Sequence, residues 1–334
     1  MAEPRLLALT MGEPGGVGPE IALKAYAALK SSGPGFFVVG DPRAFPETAI
    51  TVVSDPSAAA GAFATALPVL DTGTRAQVTP GTADPASAPA VISAIERAVA
   101  LAIAGEAAAV VTNPIEKASL NAAGWRWPGH TEFIEHLTSG APMPNGRRRG
   151  AVMMIAGPSL RTVPVTIHQS VREAAAQLSA ESIVQKAQIT FEALQTDFGI
   201  AQPRLAIAGL NPHAGEKGTI GREDEDIVAP AVAELRAIYG DAITGPHPAD
   251  TLFHEEARAR YDAALCMLHD QALIPAKTLA FHQAVNVTLG LPIIRTSPDH
   301  GTARDIAGKG IARADSLIAA IKLAASLAGA RACA

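Results

Sequence analysis

Short apolar runs, each closed by a Gly, Asp, Asn or His, recur along this chain and are separated by longer Ala-rich stretches of helical pattern. Leu6–Leu9, Phe36–Val39, Ala108–Val111, Ala151–Ile155, Val163–Ile167, Leu205–Leu210 and Ala263–Leu268 are the runs. Between and after them lie the helix candidates Pro19–Leu29, Val91–Ile103, Val171–Leu194, Asp226–Tyr239 and Ala314–Ala328, the last stopped by Gly329. Strand followed by helix, repeated, brings successive strands back parallel and covers both faces of the sheet. The predicted class is therefore α/β with largely parallel sheets.

Composition narrows the function classes. With 48% hydrophobic and 18% charged residues, the 334-residue chain can bury a large core and does not read as disordered. A net charge of −5 without a basic stripe speaks against backbone-driven nucleic-acid binding. The one basic cluster, Arg147-Arg148-Arg149, follows a Pro/Gly-rich stretch and reads as a solvated loop, as does Pro80–Pro89. Cys266 sits in an apolar run and Cys333 stands apart, so reduced thiols are expected. No cationic leader opens the chain, and no uninterrupted apolar run nears the ~18 residues of a membrane helix. A cytoplasmic protein without a membrane partner is expected.

Ligands of open α/β sheets gather outside the carboxyl ends of the strands, so the residues just after each run are the informative ones. Three runs end in histidine. Val163–Ile167 leads to His168, Leu205–Leu210 passes through Asn211-Pro212 to His213, and Ala263–Leu268 ends at His269, next to Asp270. Three imidazoles at one sheet edge could hold Zn²⁺ or a similar divalent ion. For any one of them, capping a strand or bonding a loop is the plain alternative. Two glycine segments add to this. Gly12–Glu20 follows the first run and opens the first helix, where glycines let a ligand approach the backbone, although a ligand-free tight turn would need them equally. It is neither Gly-x-Gly-x-x-Gly nor a P-loop, so an ordinary Rossmann site is not indicated. Asp299–Gly310 interleaves polar groups with glycine before the last helix candidate and suits a loop wrapped around a flat ligand.

These segments resemble their counterparts in isopropylmalate and isocitrate dehydrogenases, whose late loop holds the adenosine half of NAD(P) without a Rossmann fingerprint. Within that superfamily the whole chain is similar to the 4-hydroxythreonine-4-phosphate dehydrogenase family. The matching blocks run in order: Gly12–Glu20, Thr112–Lys117, Gly129–Glu132, Leu210–Glu216, Gly245–Thr251, His269–Gln271, Asn286–Pro292 and Arg295–Thr302. The resemblance implies a two-lobed α/β/α fold with the active site in the interlobe cleft. It implies a discontinuous cofactor-side domain, residues 1–125 plus 286–334, and a substrate, metal and dimerisation domain, residues 126–285. A homodimer with its active site at the subunit interface follows.

The resemblance also assigns residues. Its divalent metal (Zn, Co, Mn or Mg) falls on His168, His213 and His269, with one ligand expected from the partner subunit. Substrate binding falls on His130, Thr131, Lys277, Asn286 and Arg295. NAD or NADP falls on Gly12, His300, Gly301, Thr302, Ala303, Asp305 and Ile306. Thr131 is expected to cap a helix beginning at Glu132, presenting free N–H groups and His130 to a phosphate or carboxylate. Lys277 and Arg295 would add positive charge. The implied reaction is metal-dependent oxidation of 4-hydroxythreonine 4-phosphate to 2-amino-3-oxo-4-phosphooxybutanoate. That product decarboxylates to 3-amino-2-oxopropyl phosphate, in pyridoxal phosphate synthesis. Lys277 or Asp250 is the candidate base. A related four-carbon substrate, threonate or erythronate phosphate, is the alternative within the same chemistry. A phosphate acyltransferase-like enzyme needs neither the late loop nor the three histidines, and a non-catalytic binding protein would not need so many convergent polar groups.

Overall fold

The computed structural model describes residues 5–333. The first stretch of chain runs β1 (Leu7–Thr10), α1 (Gly18–Leu29), β2 (Phe36–Gly40), β3 (Ile50–Val53), α2 (Pro56–Phe63), β4 (Leu67–Asp71), α3 (Ala88–Ile103), β5 (Val110–Thr112), α4 (Lys117–Ala122) and α5 (His130–Leu137). There follow β6 (Val152–Ala156), β7 (Arg161–Pro164), α6 (Val171–Gln177), α7 (Ala180–Thr196), β8 (Leu205–Ala208), α8 (Ala229–Tyr239), β9 (Ile243–His247), α9 (Glu255–Arg258), β10 (Ala263–Cys266), α10 (His269–Ala280) and β11 (Val285–Leu289). The chain closes with β12 (Arg295–Pro298) and α11 (Asp315–Cys333).

Two compact units result, Met1–Pro142 with Leu291–Gly329, and Met143–Gly290 with Ala330–Ala334. In the first, strands lie in the order β3-β4-β2-β1-β5-β12, every pair parallel. The strands β1 and β2 are buried along their whole length, as central strands of a sheet covered on both faces require. α3 packs Val91, Ala94, Ile95, Ala98 and Val99 inward and contacts β1 and β2. By length and composition alone, Pro85–Ile103 and Asp315–Cys333 could cross a membrane. The inward face of α3 is nonetheless that of a helix covering a sheet.

In the second unit the order is β11-β6-β7-β10-β8-β9. Here β11 with β6 and β6 with β7 run antiparallel, while β7, β10, β8 and β9 are parallel. The α/β class holds and most strand pairs are parallel, with an antiparallel insertion at β6. Met153, Ile155, Ala206, Ala264, Cys266 and Leu273 share one buried cluster, and Cys266 is a free thiol.

Four expectations need correction. Val171–Leu194 is two helices, because Leu178 is extended and Ser179 caps a new start by accepting from Ser182 N–H. Gly329 does not stop the last helix, which continues to Cys333. Its final turn is pinned by Arg331, whose guanidinium bonds Asp197 at 2.8 and 2.7 Å. Nor is the arginine run simply solvated: Arg147 is 8% exposed and ion-paired to Asp197 at 2.7 Å, and Arg148 pairs with Glu192. Thr131 is not a cap either. Gly129, in extended backbone, takes that position and α5 begins at His130.

Candidate functional site

In the second unit, β10 lies between β7 and β8, parallel to both. The chain therefore leaves all three strands at the same edge, and each exit carries one of the three histidines. β7 ends earlier than its apolar run, at Pro164. Val165 and Thr166 still donate to the Cys266 and Met267 carbonyls, so the path to His168 stays alongside β10. The rings of His168 and His269 lie 6.2 Å apart.

His269 opens α10. Its Nδ1 is 2.7 Å from Asp270 Oδ1. A carboxylate only accepts, so Nδ1 carries the proton and Nε2 is left as the nitrogen able to bind a metal. Gln271 ties this turn to the next strand exit. Its Oε1 accepts from Leu268 N–H at 3.0 Å and its Nε2 donates to the Gly209 carbonyl at 2.9 Å.

His213 begins a run of six residues, His213 to Gly218, all with positive φ. Such conformation costs a non-glycine residue on the order of 1 kcal/mol or more and collects at functional turns. Buried Asp224 holds the turn's approach, accepting from Leu210 N–H at 2.7 Å and Asn211 N–H at 2.9 Å. His213 then lines a cavity of about 380 Å³ with Asp250 and Gln271. Lys277 is half-buried on α10, and Asn286 Oδ1 on β11 is buried without a hydrogen-bond partner among the described residues. Among the described residues, no three His, Cys, Asp or Glu side chains already converge into a metal cage. The donors nevertheless fit a divalent ion in kind, and two of the three rings are neighbours.

The first unit gathers a cationic cluster. Arg295 is 3% exposed, and its Nη2 donates to Thr112 Oγ1 at 2.7 Å. Burial brings its guanidinium down to about 10, against the pull of Glu132. His130 Nε2 is sealed from solvent with no hydrogen-bond partner among the described residues. Burial, then Arg295 and Lys117, hold its pKa well below the ordinary histidine value, so it is neutral at pH 7.

The Gly12 turn and the late loop meet in the same unit. Val17 N–H donates to the Thr302 carbonyl at 2.9 Å, and Thr302 Oγ1 and Arg304 both reach Glu116. Gly12 has φ +74, and a Cβ there would come within 2.6 Å of Asn113 Cβ, so only glycine makes this turn. His300 and Gly301 are exposed, Ala303 is left-handed, and Asp305 and Ile306 form a short turn. An open, polar, glycine-bearing loop joined to a helix-opening turn suits a dinucleotide.

Glu13, in the turn itself, is 1% exposed. Burial pushes its carboxyl up to about 7, helped by Glu116 and Asp84 and opposed by Gly15 N–H and Arg304. A folded-state pKa above the unfolded 4.5 favours the fold below that value, and the benefit is lost as pH rises through about 7. Replacing Glu13 by glutamine should thus flatten the fall in stability between pH 5 and 7, by at most roughly 3 kcal/mol. Urea midpoints across that range would check it; parallel curves for the two proteins would refute it.

Residues 34–324 match the profile of the family described as pyridoxal phosphate biosynthetic protein PdxA. The chain belongs to the PdxA family. It is 54% identical over 331 residues to the 4-hydroxythreonine-4-phosphate dehydrogenase of Caulobacter vibrioides, covering 98% of each chain. With the Bradyrhizobium diazoefficiens enzyme of that name it shares 51% over 341 residues, 97% of each. The crystal structure of 4-hydroxythreonine-4-phosphate dehydrogenase from Klebsiella pneumoniae superposes with a TM-score of 0.84 at 36% identity, covering 98% of this chain and 99% of that one.

Sequence reasoning about this PdxA chain passed over Asp224 and quoted Gln271 in a matching block without a role, though both shape the histidine turns. Asp224 was hidden in the acidic run Glu223–Asp226. Thr112 and Lys117 stood in a matching block but carried no assigned role.

Proposed function

We propose that this PdxA chain oxidises 4-hydroxythreonine 4-phosphate in pyridoxal phosphate synthesis, with NAD or NADP as oxidant and one divalent metal per site. The observation that carries this reading is the 54% identity, over nearly the whole of both chains, to an enzyme of that name. His168, His213 and His269 would hold the metal, one of them supplied by the partner subunit. A divalent ion held there would supply Lewis acidity toward the substrate hydroxyl, and a bound NAD(P) would supply the hydride acceptor.

The chain's own groups then position and deprotonate. Arg295, neutral His130 and the uncapped start of α5 hold an anionic end of the substrate. Lys277 and Asn286 complete the substrate contacts. Asp250 shares the His213 cavity, which favours it over Lys277 for taking the hydroxyl proton. The Gly12 turn, His300–Ala303, Asp305 and Ile306 orient the dinucleotide, in the manner of isopropylmalate dehydrogenase-like enzymes. Loss of carbon dioxide from the β-keto acid product follows.

A cytoplasmic homodimer completes the reading. Ile274, Leu279 and Phe281 are 62%, 45% and 69% exposed on and just after α10. Ile274 and Leu279 line an apolar cavity of about 580 Å³ that also touches Asp250 and Asp270. A second copy would cover that face.

NAD(P)H formation from 4-hydroxythreonine 4-phosphate, followed before and after chelation, tests the proposal. Turnover that vanishes on chelation and returns with Zn²⁺, Co²⁺, Mn²⁺ or Mg²⁺ is expected. Turnover of threonate phosphate alone would replace the substrate assignment, and full activity in chelator would remove the metal from it.

A further inference from the structure

We propose that Lys117 is a substrate-anion-binding residue, closing over the negatively charged end that His130 and Arg295 hold. This rests on the dehydrogenase reading above. Lys117 opens α4, its side chain is exposed, and it makes no hydrogen bond or ion pair among the described residues. Yet it lies against the start of α5. An ideal Cβ at Gly129 would sit 3.6 Å from Lys117 Nζ and 3.5 Å from Glu132 Oε2. The Lys117 ammonium therefore lies at van der Waals distance from the cap position of α5, on the same side as Glu132.

Three independent features meet there. No side chain caps α5, so its first N–H groups lack a capping acceptor. His130 Nε2 is buried and without a hydrogen-bond partner among the described residues. Lys117 and Arg295 both act on His130 electrostatically, and the facing acid is Glu132. Two cations, one carboxylate and a neutral imidazole leave an excess of positive charge beside unspent donors. A phosphate or carboxylate oxygen satisfies all of them at once. The ammonium is the flexible member, a point charge on a long stem that can follow the anion in and out.

The test compares wild type with Lys117→Met and Lys117→Arg. Losing one charge-assisted contact should raise KM for 4-hydroxythreonine 4-phosphate by about tenfold or more, with the arginine variant recovering most of it. KM for NAD(P) should stay as in wild type. Calorimetric titration of inorganic phosphate, and separately of malonate, reads the same site without turnover and says which end of the substrate it takes. Unchanged substrate KM and unchanged affinity for both ions in Lys117→Met would overturn the assignment, as would an effect confined to NAD(P). If wild type does not turn over the substrate, the dehydrogenase reading fails instead, and the phosphate and malonate titrations still decide Lys117.

Discussion

Replacing Asp197 by alanine is expected to lower the unfolding free energy by about 3–5 kcal/mol, enough to unfold much of the protein at moderate temperature. Asp197 is 3% exposed. It receives Arg147 Nη1 and Arg331 Nη2, each at 2.7 Å. Burial alone would raise its carboxyl pKa, but the Arg331 and Arg147 guanidiniums outweigh that and hold it below the ordinary range. The pair's stabilisation is therefore present above the unfolded value of 3.8 and is lost as pH falls through the lower folded one. Most of the cost of Asp197→Ala comes from stranding Arg147, itself 8% exposed, as a buried uncompensated charge. Adding Arg147→Met should relieve it, so the double variant loses less than the two single losses summed. Urea denaturation followed by circular dichroism measures all three, and strict additivity would refute the stranded-charge account.

The second large effect is catalytic. His269→Ala should cut turnover about a thousandfold, since losing a metal ligand forfeits several kcal/mol of charge stabilisation at the reacting oxygen. Metal content by atomic absorption should fall with it, while NAD(P) binding is little changed. His168→Ala should behave alike, its ring being the neighbour of His269. His254, bonded to Glu256 and 55% exposed, offers a histidine outside the site whose removal should cost nothing measurable. If His269→Ala kept its metal and its turnover, the three-histidine assignment would be wrong.

Much of this was legible in the residues because strand runs are continuous and hydrophobic, which is how doubly covered strands read. β1, β2, β8 and β10 start and stop within two residues of their apolar runs. What the pattern missed lay where side chains override it. Ser179 breaks a helix that periodicity alone would continue, and Arg331 extends one that Gly329 would end. β6 was visible as the run Ala151–Ile155, but its antiparallel direction left no trace, since strand direction is set by connection and not by composition. At the candidate site, strand-end position pointed to three histidines that follow parallel neighbouring strands. It gave no notice of Asp224 and Gln271, whose role is to hold backbone, nor of Glu13, whose chemistry comes from burial. His130 was expected beside a cap at Thr131. The cap fell instead on Gly129, earlier in the chain, and no capping side chain bonds the helix start.

The first unit is built from two separated stretches of chain, and this bears on how it is made. β5 pairs on one side with β1 and on the other with β12, whose first residue comes roughly 180 residues later. On a translating ribosome adding about 5–20 residues per second, that edge of β5 stays open for roughly 10–35 seconds. Val110 and Val111 are wholly buried once folding is finished, so the growing chain presents a sticky, unpaired strand throughout that interval. Chaperone dependence during synthesis, and aggregation of chains truncated before Arg295, are the expected price of returning so late to the first sheet.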